Sequence, residues 1–139
     1  MGIGKQGTNT RLMPQYFFIR ENSRYLKINF SDIMYVEGCG NYLKIVTERK
    51  KYMALLALKQ IELLLPTHRF ARIHKSYIVS LDFITEFDRS NVYLKERKLP
   101  VGKQFRNLVE RSVVILRGEV FSNLTTVPLE YLKQRTNVG

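Results

Sequence analysis

Between Phe70 and Val79 the chain reads Phe-Ala-Arg-Ile-His-Lys-Ser-Tyr-Ile-Val, with Arg72 and the block His74-Lys75-Ser76 fenced in by apolar residues. Strand-like alternation runs into that block and resumes after it, and a period of two is the mark of a half-buried strand. A chain that carries His, Lys and Ser side by side between two such strands presents them on a loop or short turn. Loops held by a rigid scaffold are where binding residues concentrate.

The same grammar of short strands and polar turns fills most of the chain. Arg24–Phe30 alternates, with Leu26, Ile28 and Phe30 facing one way and Tyr25, Lys27 and Asn29 the other. Ser31-Asp32 makes a turn, Ile33–Val36 reads as a strand, and Gly38-Cys39-Gly40-Asn41 breaks the chain with turn formers. Tyr42–Thr47 and Tyr52–Leu56 read as paired strands joined by the charged turn Glu48-Arg49-Lys50-Lys51. Leu58, Ile61 and Leu65 fall at helical spacing, and Pro66 predicts the end of that helix. Further strands are predicted at Phe70–Ile73, Tyr77–Leu81, Ile84–Phe87, Val92–Leu94 and Leu99–Val101. From Lys103 the period changes. Phe105, Leu108, Val109, Ser112, Val113 and Leu116 share one helical face, with Gly118 as the expected C-cap. The expected fold class is therefore mainly β and antiparallel, with one short mid-chain helix and one longer helix near the C-terminus. Residues 1–15, with three Gly and a Pro, read as a flexible arm or a linker remnant. In the tail, residues 118–139, no periodicity governs, and Leu124, Val127, Leu129 and Leu132 are candidates to dock on the body.

With 139 residues and 45% hydrophobic content, the chain suits one domain with a real core. Its charge balance is unusual: 23 Lys+Arg against 12 Asp+Glu give +11 and a pI near 10.0. An excess of that size favours a polyanionic partner, nucleic acid or an anionic membrane surface, while simple solubility is the bland alternative. Cys39 is the single cysteine, which excludes an intrachain disulfide and a Cys-based zinc site and fits the reducing cytosol. No secretory signal opens the chain, and the longest apolar run, Met53–Leu58, is far too short to span a bilayer. A cytoplasmic protein without membrane contact is expected.

No catalytic constellation stands out. His68 and His74 have no acidic or thiol partner at ligand spacing, and Ser76 has no nucleophile elbow around it. Phosphate-loop and dinucleotide fingerprints are missing, so neither enzymatic activity nor a cofactor is expected. The basic residues are scattered, and they converge only if they sit at turns along one edge. Three turn-proximal sets are candidates: Asn41, Tyr42 and Lys44; Arg72, His74, Lys75 and Ser76; and Lys103, Gln104 and Arg106. Cations in the first turn of a helix oppose its dipole, which makes sense for the third set if an external phosphate docks there. The alternative is a solvated face with Arg106 paired to Glu110 at i+4. In the second set, His, Lys and Ser offer donors to phosphate oxygens and base edges, and a structural His74 is the alternative. The run Arg49-Lys50-Lys51 is expected to be a solvated hairpin tip or a non-specific phosphate contact.

Four segments in register resemble the LytTR-type DNA-binding domain, the output domain of many bacterial transcription regulators. They are Asp32–Tyr42, Leu65-Pro66, Phe70–Val79 and Leu99–Lys103, and the resemblance covers roughly residues 16–117. It implies an elongated set of small antiparallel sheets with short helices, whose loops enter successive major grooves and bend the duplex. It also implies contacts to bases or phosphates from His74 and Lys75, from Lys103 where the family often has Arg, and near Asn41 and Tyr42. Glu37 resembles the family's glutamate before the turn, a structural residue. Ser80 stands where the family usually has Asn, and Gly102 where Ser is frequent. Such domains usually follow a receiver domain, which nothing here resembles, so an excised output domain of a two-component response regulator or a stand-alone regulator is expected. Double-stranded DNA is the expected partner, and a dimer on DNA repeats is compatible with it. An RNA-binding module that stacks bases on exposed Tyr, or a protein-interaction module using a sheet edge, is the alternative function.

Overall fold

The computed structural model describes residues 14–122 and 128–130. Alternation in the first third yields strands β1 (Tyr16–Glu21), β2 (Arg24–Asn29), β3 (Ile33–Cys39), β4 (Tyr42–Thr47) and β5 (Lys51–Ala54). Helix α1 (Leu58–Leu64) follows, then β6 (Phe70–His74), β7 (Tyr77–Ser80), β8 (Glu86–Phe87), β9 (Asn91–Leu94), β10 (Arg97–Pro100) and helix α2 (Arg106–Ser112). The strands form three antiparallel sheets: the ribbon β1-β2, a five-stranded sheet ordered β5-β4-β3-β7-β6, and a three-stranded sheet ordered β10-β9-β8.

The five-stranded sheet is the middle layer, because both of its faces are apolar. One face contributes Ile33, Val36, Leu43, Ile45, Phe70 and Ile78 to a core closed by Ile28 of the ribbon, Phe30 just after it, and Ile61 and Leu65 at α1. The other contributes Tyr35, Val46, Ala71, Ile73 and Val79, against Val92, Leu94 and Leu99 of the small sheet and Val109 of α2. An irregularity between Ile33 and Tyr35 breaks the period of two, so Ile33 and Val36 face one core while Tyr35 faces the other. A bulge of one residue has that consequence.

Helix α1 opens with the Ala57 N–H donating to Gln60 Oε1 at 2.8 Å. It stops at Leu65, which is extended (φ −73°, ψ 132°), as expected for a residue preceding proline. The second helix departs from expectation. It spans seven residues, the same number as α1, and Val113 after it is extended (φ −127°, ψ 163°). The cause is legible afterwards: Val113-Val114-Ile115 is a run of β-branched residues, each stiff at χ1 and poor in a helix. Val114 and Leu116 are consequently exposed, and Gly118 caps no helix. Ile84–Phe87 also shortens to Glu86–Phe87, because Leu81–Phe83 forms a 3-10 turn that takes the chain out of register first. Of the predicted docking residues in the tail, Leu129 is exposed, and Leu124, Val127 and Leu132 lie outside the described residues. Residues 1–13 of the predicted arm lie outside them as well, whereas Gln15 is tied in, its carbonyl accepting the Phe30 N–H at 2.9 Å.

Candidate nucleic-acid interface

Three turns meet at one end of the middle sheet. The β3–β4 hairpin closes at the pair Cys39–Tyr42, leaving Gly40 and Asn41 at its tip. Gly40 has φ +64°, a left-handed conformation that glycine adopts without a Cβ clash. The β6–β7 hairpin closes at His74–Tyr77, leaving Lys75 and Ser76 at its tip. Two backbone hydrogen bonds bind the set together. The Gly38 N–H donates to Ser76 O at 2.8 Å, and the Gly102 N–H donates to Ile73 O at 2.8 Å. The sites predicted separately are thus neighbours through main-chain atoms.

The tips differ in what their side chains do. Asn41, Tyr42, Lys75, Lys103 and Gln104 are exposed. Within the central hairpin the Ser76 N–H donates to His74 Nδ1 at 3.0 Å. In a neutral imidazole the accepting nitrogen is bare, so Nε2 carries the proton and is the donor left for an outside acceptor. The imidazole also lies 5.5 Å from the Tyr77 ring. His74 therefore takes the structural role weighed in the sequence, with Nε2 as its remaining ring nitrogen.

Arg72 departs from the expectation of a free contact. Its Nε donates to His74 O at 2.8 Å, its Nη2 to Lys75 O at 2.6 Å and its Nη1 to Glu62 of α1 at 2.6 Å. The guanidinium also sits 5.7 Å over the Phe105 ring. It braces the central turn from behind. Lys44 departs similarly: it lies opposite Glu37 in the β3–β4 register, with Nζ 3.6 Å from Oε1, so much of its charge is answered within the protein. Arg106 is half-buried, and among the described ion pairs none joins it to Glu110. Lys103 and Gln104 occupy a 3-10 turn, Lys103–Phe105, one turn ahead of the α-helix.

Sequence reasoning missed Glu62, Tyr77 and Phe105 as supports. Tyr77 Oη donates to Glu37 Oε2 at 3.3 Å. Burial, reinforced by the Glu37 charge, pushes the Tyr77 phenol above its ordinary range. A raised folded-state value means the contribution is full below the unfolded value and lost as pH rises through the folded one. Stability should therefore fall above pH ~10, and Tyr77→Phe should blunt that fall. Alkaline titration followed by circular dichroism checks this; an identical profile in the variant would remove Tyr77 from the account. Gly102 also has a packing reason. A Cβ there would meet Phe105 Cδ2 at 3.2 Å, a tight approach, while His74 Cδ2 at 3.6 Å leaves room for ordinary contact.

A basic, mainly β domain whose exposed cations and polar side chains share tied turns defines a class: a nucleic-acid-binding module. Residues 23–113 match the LytTr DNA-binding domain family, and the chain belongs to it. That family is a DNA-binding output domain of transcription regulators and is not an enzyme family. The chain is 37% identical over 68 residues to the heme-containing CO-sensing transcriptional regulator RcoM 2 of Paraburkholderia xenovorans (strain LB400), covering 49% of this chain and 26% of that protein. With the sensory transduction protein LytT of Bacillus anthracis it shares 31% identity over 84 residues, covering 56% of this chain and 34% of that protein. The chain thus spans between about a quarter and a third of the length of these relatives. A solved LytTr DNA-binding domain of a methyl-accepting/DNA response regulator from Bacillus cereus has the same fold. Its TM-score is 0.60 at 21% identity, over 71% of this chain and 96% of that one. Among the described residues no helix is long and apolar enough to cross a membrane, and no cluster of His, Cys, Asp or Glu is placed to hold a metal ion.

Proposed function

We propose that this domain binds duplex DNA in a sequence-dependent way through the three tied turns. Lys75, Lys103 and Gln104 make the central contacts, His74 donates through Nε2, and Asn41 and Tyr42 flank them. The observation that carries the reading is the pair of main-chain bonds, Gly38 to Ser76 and Ile73 to Gly102, which hold those exposed side chains at one end of the sheet. Arg72, Lys44 and Arg106 act behind this row, supporting it or adding long-range charge. Phosphate contacts supply affinity and register, and base-edge contacts supply preference. In the whole regulator the domain is the output of a signal-receiving part, a receiver domain among the candidates, works in the cytoplasm, and pairs on repeated DNA sites.

Salt dependence and one substitution test this together. With about five phosphate contacts, the log–log slope of affinity against salt should be about −4 to −5. Lys103→Ala should cost roughly 1–3 kcal/mol on the preferred site and relax preference at one position if the ammonium reads a base. A uniform loss across sequences, with the slope reduced by about one, would make it a phosphate contact. Unchanged binding by the folded variant, or a slope near zero, sinks the reading of this end as the interface.

A further inference from the structure

Among the described residues, the β1–β2 ribbon turns an exposed face outward. Its register sets Phe18 opposite Lys27, Arg20 opposite Tyr25 and Tyr16 opposite Asn29, so the alternate residues of both strands share that face. Tyr16, Phe18 and Tyr25 are 42%, 56% and 66% exposed, although aromatic rings of this size usually seek cover. Lys27 Nζ lies 4.2 Å over the Tyr16 ring, and the Tyr16 and Phe18 rings meet edge to face at 5.8 Å. The ribbon's other face, through Phe17 and Ile19, packs on the core, so the outward rings are not spare core residues.

Along the edge of that face, Arg20 and Lys27 line two clefts shared with cations of the β4–β5 hairpin. A cleft of about 270 Å³ lies between the ribbon and the β4–β5 hairpin, lined by Arg20 on one side and Lys50 and Lys51 on the other. A second cleft of about 330 Å³ joins Lys27 to Arg49 and Lys50. The acids there are Glu21, Asp32 and Glu48, and Glu48 is already held by Lys95 at 3.0 Å. This is the charge run Arg49-Lys50-Lys51 that the three-turn interface leaves unused. It stands at the opposite end of β4 from Tyr42, roughly 17 Å away at ~3.3 Å per residue.

We propose that the outward face of the β1–β2 ribbon, with the cations of the β4–β5 hairpin, is a second nucleic-acid site that takes single strands by stacking unpaired bases on Phe18 and Tyr25. Aromatic rings accept the faces of unpaired bases, which a closed duplex hides in its own stack. The cations beside them track the phosphates of the same strand. A second copy of this chain is disfavoured as occupant, because Arg20, Lys27 and the hairpin lysines would face their own kind.

The chain has eight Tyr and no Trp, so its ultraviolet emission is tyrosine emission, and Tyr25→Phe isolates the part quenched at this face. The probes are a twelve-nucleotide oligothymidine and its uridine counterpart, which separate DNA from RNA as the source of the strand. At low salt, one or both should quench the emission. Phe18→Ala and Tyr25→Ala, both at exposed positions, should each weaken binding about tenfold. Tyr25→Phe should keep the affinity and reduce the quenching. The double variant Lys50→Ala/Lys51→Ala should shrink the salt slope by about 1.4. Lys75→Ala, which weakens duplex binding if the three-turn reading holds, should leave oligothymidine affinity unchanged, so the two ideas fail separately. The proposal is overturned if neither oligonucleotide quenches, or if a duplex competes as well as free oligothymidine. It is also overturned if poly-glutamate displaces the oligonucleotide with the same dependence on Phe18 and Tyr25, which would make the occupant an acidic protein.

Discussion

Replacing Arg72 with alanine is expected to lower folding stability by roughly 2–4 kcal/mol and duplex affinity at least tenfold. The guanidinium reaches two carbonyls of the central hairpin, His74 O and Lys75 O, and the Glu62 carboxylate on α1. Hydrogen bonds from a charged donor are each worth more than neutral ones, and their loss leaves two turn carbonyls without that partner. Glu62 is about two-fifths exposed (39%), so the ion pair itself contributes the smaller part. Arg72→Lys should recover little, because an ammonium cannot reproduce the fork that reaches both turn carbonyls and Glu62. Urea denaturation alongside duplex titration separates the roles. A variant of full stability that binds weakly would make Arg72 a direct DNA contact and would refute the bracing role.

Phe30→Ala is expected to cost about 3–5 kcal/mol, a large part of the 5–15 kcal/mol that holds a typical domain together. Phe30 is 1% exposed and meets Phe70 edge to face at 6.1 Å, in the core on the ribbon side of the middle sheet. The affinity of the folded fraction should nevertheless stay within about twofold, because the residue touches none of the three turns and well-separated sites act additively. Thermal unfolding and titration well below the midpoint would test the pair of claims. An affinity loss matching the stability loss would mean that the two cores do not act separately on the interface.

Much of this was legible in the residues. Tyr42–Thr47 folds as the strand read for it, and Pro66 stops α1 where the residue before it must be extended. The turn formers Gly40 and Asn41 even carried more than was taken from them. A hairpin closing at Cys39 and Tyr42 sets Glu37 opposite Lys44 by simple counting, and so withdraws Lys44 from the free cations. Helical spacing runs on to Leu116, but α2 ends at Ser112, because from Val113 local stiffness prevails over periodicity. Arg72 was out of reach for a different reason. Its partners Glu62 and Phe105 come from two separate helical segments, and only the packed tertiary arrangement sets them beside it.

The bonds that gather the three turns run between main-chain atoms, Gly38 to Ser76 and Gly102 to Ile73, and every residue but proline carries the donor they require. Such a frame is indifferent to the letters it displays. Lys75, Lys103, Gln104, Asn41 and Tyr42 are therefore free to be rewritten without moving their neighbours, and a library varied at those five positions with proline left out should yield mostly folded domains. The demand of the scaffold falls instead on Gly40 for its backbone and Arg72 for its reach. New address, same envelope: the fold separates what must be kept from what can be retargeted.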